Sequence, residues 1–465
     1  MGTDLHLLTI SEASRLIAAR ELSPVELTRA FLDRMEAADP VLHCYLTCTA
    51  AAALAAAQRA EEEIAAGAYR GAMHGIPYAV KDNIDCAGIR TTGNSRLLVD
   101  NVPKADAAVI EKLEAAGAIL LGKLSCDELA HGGPSDDLPW PAPRNPWDTS
   151  RIPGGSSSGS AAAVAGGLAM CALGTDTGGS VRSPAGYCGV VGLKATYGRV
   201  SRRGIIPNSF SLDHCGPMTW TVADAAMMLG AVAGFDAGDP SSADVPVADF
   251  AAALSGDIRG LRIGVVRHFY EDDLPASPAV RANMEVALAT LAGLGAELED
   301  VRMRPLDEYA ACKMMIQMPE LYAVFEEDLK ARPESFGEVF RYRVTPGALV
   351  RGVDYVQAQR KRRLLADEYR DLMGRYDALV TSGIYGPAPT TQRFERKGKF
   401  TKPSITVAFS VTGGPAVSIC NGFTDSGLPF AMQVAGKAFD EATVLRVADA
   451  YERATPWRAR RPGVA

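Results

Sequence analysis

No stretch of this sequence is apolar for long enough to cross a bilayer. The longest uninterrupted run, Ala161 to Leu173, has 13 residues, whereas a spanning helix needs about 18 or more. It reads as a buried helix of small residues. The first residues show no basic segment followed by an apolar one, so no secretory signal is expected and the expected location is the cytoplasm. A basic excess is also lacking: 48 Lys and Arg stand against 55 Asp and Glu, a net charge of -7. Phosphate contacts supply most of the affinity of a nucleic-acid binder, so neither a nucleic acid nor a membrane is expected as a partner. The densest basic patch, Arg458-Ala459-Arg460-Arg461, reads as a solvated terminus. The nine cysteines are scattered and form no CxxC pair, and the six histidines form no HxxxH or HExxH. That pattern excludes a disulfide framework and the usual zinc sites, and fits free buried thiols in a reducing compartment. No metal and no cofactor are expected.

What is present is a long, ordinary globular chain. Its 465 residues, 47% of them hydrophobic, can bury a large core without crosslinks. The first 70 residues read as helical. Ser23-Pro24-Val25-Glu26 is a helix start, with Ser as cap, Pro at the first position and Glu at the third, and the helix is expected to run to about Met35. An alanine-rich helix follows from Thr49 to Ala66, stopped by Gly67. Ile76–Val80 reads as a short buried strand ending at Lys81, Asp106–Ala116 as an amphipathic helix and Ile119–Leu121 as the next strand. Later strands are expected at Leu261–Val266, Ala378–Thr381, Ser404–Val411 and Ala416–Cys420. Strands alternating with helices suggest an α/β sheet. Neither a repeat nor a clean linker divides the chain, so one large domain is expected.

Two glycine- and serine-rich loops carry the chemical signal: Gly154-Gly155-Ser156-Ser157-Ser158-Gly159-Ser160 and Gly174-Thr175-Asp176-Thr177-Gly178-Gly179-Ser180. Glycines let backbone N–H groups converge on one point, which serves a phosphate or an oxyanion. GxxxxGK[ST] and GxGxxG are both absent, and neither loop holds a lysine. Oxyanion binding is therefore favoured over phosphate. An oxyanion site implies an acyl-transfer nucleophile, and Ser180 closes the second loop. A serine needs a base. His214, in Leu212-Asp213-His214-Cys215, is one candidate; Lys81, at the end of an apolar strand, is another. Drawing a lysine from about 10.4 to about 7–8 takes on the order of 4 kcal/mol of desolvation. Asp82 follows directly, but strand neighbours point to opposite faces. The residues alone leave both candidates open.

These two loops, together with Gly189-Val190-Val191-Gly192-Leu193-Lys194, closely resemble the amidase signature family. The likeness runs from about Leu8 to Glu452 and is strongest between Gly75 and Pro217. It implies an α/β fold: one large amidase-signature domain over residues 1–465, with a central mixed β-sheet flanked by helices on both faces. Within it one expects a helical region over about 1–70, a signature core over 71–225, a variable substrate region over 226–400 and completion of the sheet over 401–455. By motif, the resemblance makes Ser180 the nucleophile, Ser156 the bridging serine after a cis peptide from Gly155, and Lys81 the base. Neutral Lys81 would take the Ser156 proton while Ser156 takes that of Ser180. The N–H groups of Thr177, Gly178, Gly179 and Ser180 would form the oxyanion hole, each such donor being worth roughly 2.7–4 kcal/mol. Ser157 would support the relay, and Asp176 and Arg182 would hold the loop. The segment with His131, Gly132 and Gly133, and Ile206, would line the substrate pocket. His214 as base becomes improbable.

The resemblance implies hydrolysis of a C–N bond in a small amide, anilide or carbamate by a standalone enzyme, with a homodimer as its oligomer. Two alternatives stand beside it. One is the glutaminase subunit of a tRNA-dependent amidotransferase. Those subunits usually carry an acidic residue near Pro403 to hold the amino group of glutamine, and here the segment is Lys402-Pro403-Ser404-Ile405-Thr406. The other is a catalytically silent binding protein on the same fold, against which the intact Ser-Ser-Lys set argues.

Overall fold

The computed structural model describes residues 4–393 and 403–463. Among them eleven strands form one sheet. They are β1 (Tyr45–Cys48), β2 (Pro77–Lys81), β3 (Ile119–Leu124), β4 (Cys171–Asp176), β5 (Val191–Lys194), β6 (His214–Thr219), β7 (Arg262–Val265), β8 (Glu297–Asp300), β9 (Ala378–Ser382), β10 (Ala416–Phe423) and β11 (Pro429–Gly436). Their order is β1-β3-β2-β4-β6-β5-β10-β11-β9-β7-β8. The sheet is mixed. β2 is parallel to β3 and β4, and β7 to β8 and β9. The remaining pairs are antiparallel.

Every residue of β2, β4, β6, β9 and β11 is buried. Strands covered on both faces read as continuous apolar runs rather than as alternation. That is why Ile76–Val80 is recognisable by its run. The helix Ser158–Ala165, built almost wholly of Ser, Gly and Ala, lies against β4, β2 and β6. Small side chains let its backbone approach the sheet, and Gly159 shows how near: a Cβ there would meet the Ser125 carbonyl oxygen at 2.6 Å. This helix holds the start of the 13-residue apolar run, and β4 holds its end. Among the described residues no helix is long and apolar enough to cross a membrane.

Local signals in the first 70 residues are largely realised. Ser23 Oγ accepts from the N–H groups of Val25 and Glu26, at 3.1 and 3.2 Å. The helix it starts, Pro24–Leu42, runs past Met35, with Pro40 in its last turn. The alanine-rich helix is Ala50–Ala65, and Gly67 follows at φ +87°. The helical reading missed β1, four residues pairing with β3.

One expected strand is absent. In Ser404–Val411 the chain instead forms the helix Val407–Thr412, ended by Gly413 at φ +79°. Five successive residues of this helix, Val407 to Val411, are buried, so it shows no amphipathic period and its β-branched composition misleads. Lys402 lies outside the described residues.

Candidate active site

β2 delivers Lys81 to the middle of the molecule. Its side chain is fully buried, and Nζ donates to Ser156 Oγ and to Thr175 Oγ1, each at 2.7 Å. Asp82, next in sequence, does not reach it. That carboxylate accepts from the Thr92 N–H at 2.8 Å and pairs with Lys123 Nζ at 3.1 Å. Two buried lysines thus have different charges to answer. Lys123 has its own counter-ion, whereas Lys81 meets hydroxyls. Burial draws the Lys81 pKa below the ordinary lysine range, opposed by Cys126, Asp127, Asp213 and Asp176. A lysine held this way is suited to be a proton acceptor.

Ser156 follows a cis peptide bond from Gly155. Gly155 is required there, since a Cβ would meet Asp127 Cγ at 2.8 Å. Ser157 clips the two loops together: its Oγ donates to the Thr175 carbonyl and accepts from the Thr175 N–H, both at 3.2 Å. Thr175 in turn holds Lys81.

The turn after β4 is organised by Asp176 and Arg182, both fully buried. Asp176 accepts from the Gly179 N–H at 2.7 Å and the Val181 N–H at 3.2 Å. Arg182 grips the same carboxylate through Nε and Nη2, both at 3.0 Å. The guanidinium holds Asp176 well below the usual carboxylate range despite its burial. Arg182 also reaches the Thr406 carbonyl, Gln433 Oε1 and Ser410 Oγ at 2.8, 2.9 and 2.7 Å. All five donors of the fork are thereby used. One expectation needs correction: the Gly179 N–H is committed to Asp176. Thr177, Gly178 and Ser180, the other expected donors, line the cavity. His214 sits on β6 with Nδ1 near the Leu212 and Asp176 carbonyls at 2.7 and 3.1 Å. Burial keeps it neutral, and it is no partner of Ser180.

Ser156 and Ser180 open into a cavity of about 400 Å³. His131, Gly132 and Gly133 line it. Ile206 does not. It packs on a satellite core with Leu129, Leu321 and Phe336, and its N–H donates to the Asn83 carbonyl at 2.9 Å. Its near neighbour Asn208 lines the wall instead. Sequence reasoning missed Thr175 and Asn83 beside Lys81, although Thr175 lies within the second serine loop and Asn83 two residues beyond the lysine. It also missed Asp127, Lys313, Gln317 and Arg343, which line the cavity from elements far apart in sequence. Among the described residues no three His, Cys, Asp or Glu side chains gather as a metal site.

Known proteins resemble this chain over nearly its whole length. The family model Amidase matches residues 26–445. The A-type subunit of glutamyl-tRNA(Gln) amidotransferase from Chloroflexus aggregans is 41% identical, over 100% of this chain and 99% of its own. The crystal structure of the corresponding Thermotoga maritima subunit superposes with a TM-score of 0.86 at 32% identity, covering 100% of this chain and 99% of the other. Native peptide amidase from Stenotrophomonas maltophilia gives 0.85 at 33% identity, covering 98% of each. These relatives overturn the expectation that a nucleic acid plays no part. Net charge bears on a chain that touches phosphate itself, and one subunit of a larger assembly need carry no basic surface. They also set aside the silent binding protein. With its two serine loops, buried lysine and eleven-stranded sheet, the chain belongs to the amidase signature family, enzymes that hydrolyse carbon–nitrogen bonds.

Proposed function

We propose that the protein cleaves its amide through an acyl-enzyme on Ser180. The observation that carries this reading is the 2.7 Å hydrogen bond from buried Lys81 to Ser156, inside the cavity that Ser180 also lines. Lys81 in its neutral form takes the Ser156 proton, and Ser156 takes that of Ser180 as its Oγ attacks the carbonyl carbon. The C–O⁻ that forms is held by the N–H groups of Thr177, Gly178 and Ser180. As the C–N bond breaks, the proton returns through Ser156 to the leaving nitrogen. Water then attacks the ester by the same route and releases the acid.

Two substrate readings follow. The likeness over the whole chain to A-type amidotransferase subunits favours glutamine as ammonia donor, with further subunits and tRNA as partners. Pro403 and Ser404 in the cavity lining, and the apolar Leu274, Met314, Met318 and Ile384 beside them, favour instead a small amide, anilide or carbamate without an ammonium group. The comparisons weigh toward the first. The test is amine release from glutamine, primary amides, anilides and aryl carbamates, with Ser180→Ala as blank. Each assay is run without and with amidotransferase partner subunits and tRNA. Release from glutamine that rises with partners supports the amidotransferase role; release from anilides or carbamates by the protein alone supports the other. Amine release that survives Ser180→Ala overturns the mechanism.

A further inference from the structure

The register of the sheet sets the start of the oxyanion turn against a carboxylate that the acyl-enzyme steps do not use. β4 and β6 run antiparallel, and Asp176 pairs with His214 at the end of the ladder. The next rung beyond the strands places Thr177 opposite Asp213. Thr177 Oγ1 donates to Asp213 Oδ1 at 2.6 Å. The other carboxylate oxygen, Oδ2, accepts from the N–H groups of Asn208 and Ser209, both at 2.8 Å. Thr177 and Asn208 line the cavity. Asp213 is buried and is not among the lining residues.

One side chain thus ties two walls of the cavity together. On one side is the turn that leads to Ser180. Asp176 grips that turn further along, at the N–H groups of Gly179 and Val181, so Asp213 holds a part of it that Asp176 does not. On the other side is a loop stitched into the cavity wall. Asn208 Nδ2 donates to the Ala130 carbonyl at 2.7 Å, and Gln317 Nε2 donates to Asn208 Oδ1 at 2.5 Å. Ser211 Oγ donates to Glu320 Oε1, also at 2.5 Å. Gln317 and Glu320 belong to the helix Leu306–Ala331, and Ala130 and Gln317 line the cavity with Asn208. Hydrogen bonds to a buried carboxylate are charge-assisted and short, which makes the link stiff as well as strong.

We infer that Asp213 is a positioning residue, which fixes Thr177, and with it the start of the oxyanion turn, at a set place relative to the wall at Asn208. The inference rests on the acyl-enzyme reading, and its test needs no knowledge of the substrate. Ser180 is labelled with a fluorophosphonate: its Oγ bonds to phosphorus, the P–F bond breaks, fluoride leaves, and the Ser180 proton passes through Ser156 to Lys81. The maximal labelling rate and the half-saturating probe concentration are measured separately. Thr177→Val removes the hydroxyl and should lower the maximal rate about tenfold or more, at an unchanged half-saturating concentration. Thr177→Ser should restore the rate. Asp213→Ala frees Asn208 as well, so it should lower the rate and also raise the half-saturating concentration. Asp213→Asn can keep every contact, with Oδ1 accepting from the loop and Nδ2 donating to Thr177, and should stay within about threefold of the unmodified protein. Thr177→Val/Asp213→Ala should label no more slowly than Asp213→Ala, because both changes break one link. A Thr177→Val protein that labels at the unmodified rate reduces Asp213 to a cap on the Asn208–Ser209 turn and overturns the inference. So does a Thr177→Ser protein as slow as Thr177→Val, an Asp213→Asn protein as slow as Asp213→Ala, or losses that add in the double variant. Labelling that survives Ser180→Ala shows a different failure: it overturns the acyl-enzyme reading and takes this inference with it.

Discussion

At the scale of single residues, the site turns on how the buried lysines are partnered. Lys123 has Asp82. Lys194, whose Nζ reaches the Ala195 carbonyl at 3.0 Å, is pushed down to about 7 by burial and by Arg182. Lys81 alone of these three meets the serine relay. Its lowered pKa fixes the sign of the pH dependence. The base works when neutral, so kcat/KM rises with pH through the lowered value and falls as the ammonium forms below it. The expected profile is an acid limb with a slope of about one log unit per pH unit. A flat profile between about pH 5 and 9 would remove Lys81 from the mechanism. Lys81→Ala should cost about 10²–10⁴-fold in kcat/KM, in the range of a lost general base. Thr175→Val removes the second acceptor of the ammonium and should cost less than Lys81→Ala while shifting the acid limb. An unshifted limb in that variant would show that Thr175 only packs.

At the scale of elements, the turn Thr177–Ser180 is held from behind by the buried pair Asp176 and Arg182. Removing one partner of such a pair leaves a buried charge uncompensated, at about 3–5 kcal/mol. Arg182→Met should therefore lower the denaturant midpoint markedly and abolish activity, and a variant of unchanged stability would contradict the role given to the pair. Gly179 has φ +123°, and a Cβ there would collide with Thr406 Oγ1. Gly179→Ala must shift the turn, and a displacement of about 1 Å costs on the order of 10²-fold in kcat. Circular dichroism with single-turnover kinetics would separate that loss from unfolding. This turn is also where the sequence is most informative. Gly-rich loops announce converging N–H groups because few other residues permit the geometry, so Ser156, Ser180 and their neighbours stand out. What the motif does not show is which N–H groups are already spoken for. The Gly179 donor goes to Asp176 because the carboxylate folds back within three residues, a contact that composition does not encode.

At the scale of the molecule, the chain closes its centre last. β10 and β11 come near the C-terminus, yet they lie between β5 and β9 in the sheet. Val417, Ile419, Met432 and Val434 on them are at most 1% exposed. The same region supplies Thr406, Ser410 and Gln433 to Arg182, so the oxyanion turn is braced by residues 224 or more positions away. Pairings of that range leave no local trace in the sequence, which is why the loops are readable and their supports are not. For the same reason the cations of the cavity escape a reading of the sequence, since Lys313 and Arg343 sit on helices whose residue spacing says nothing of the loop they face. Charge balance over the whole chain is a poor guide to partners, because it averages over the entire surface. The topology carries its own prediction. A fragment of residues 1–402 would leave β5 and β9 with unpaired edges and bare apolar faces, a state that favours association over folding. It should show no cooperative unfolding transition and no Ser180-dependent amide hydrolysis. Co-expression with residues 403–465 should restore both, since the missing strands can pair without a covalent link. Activity in the short fragment alone would mean that the C-terminal strands do not brace the oxyanion turn, and that Arg182 holds it through Asp176 unaided.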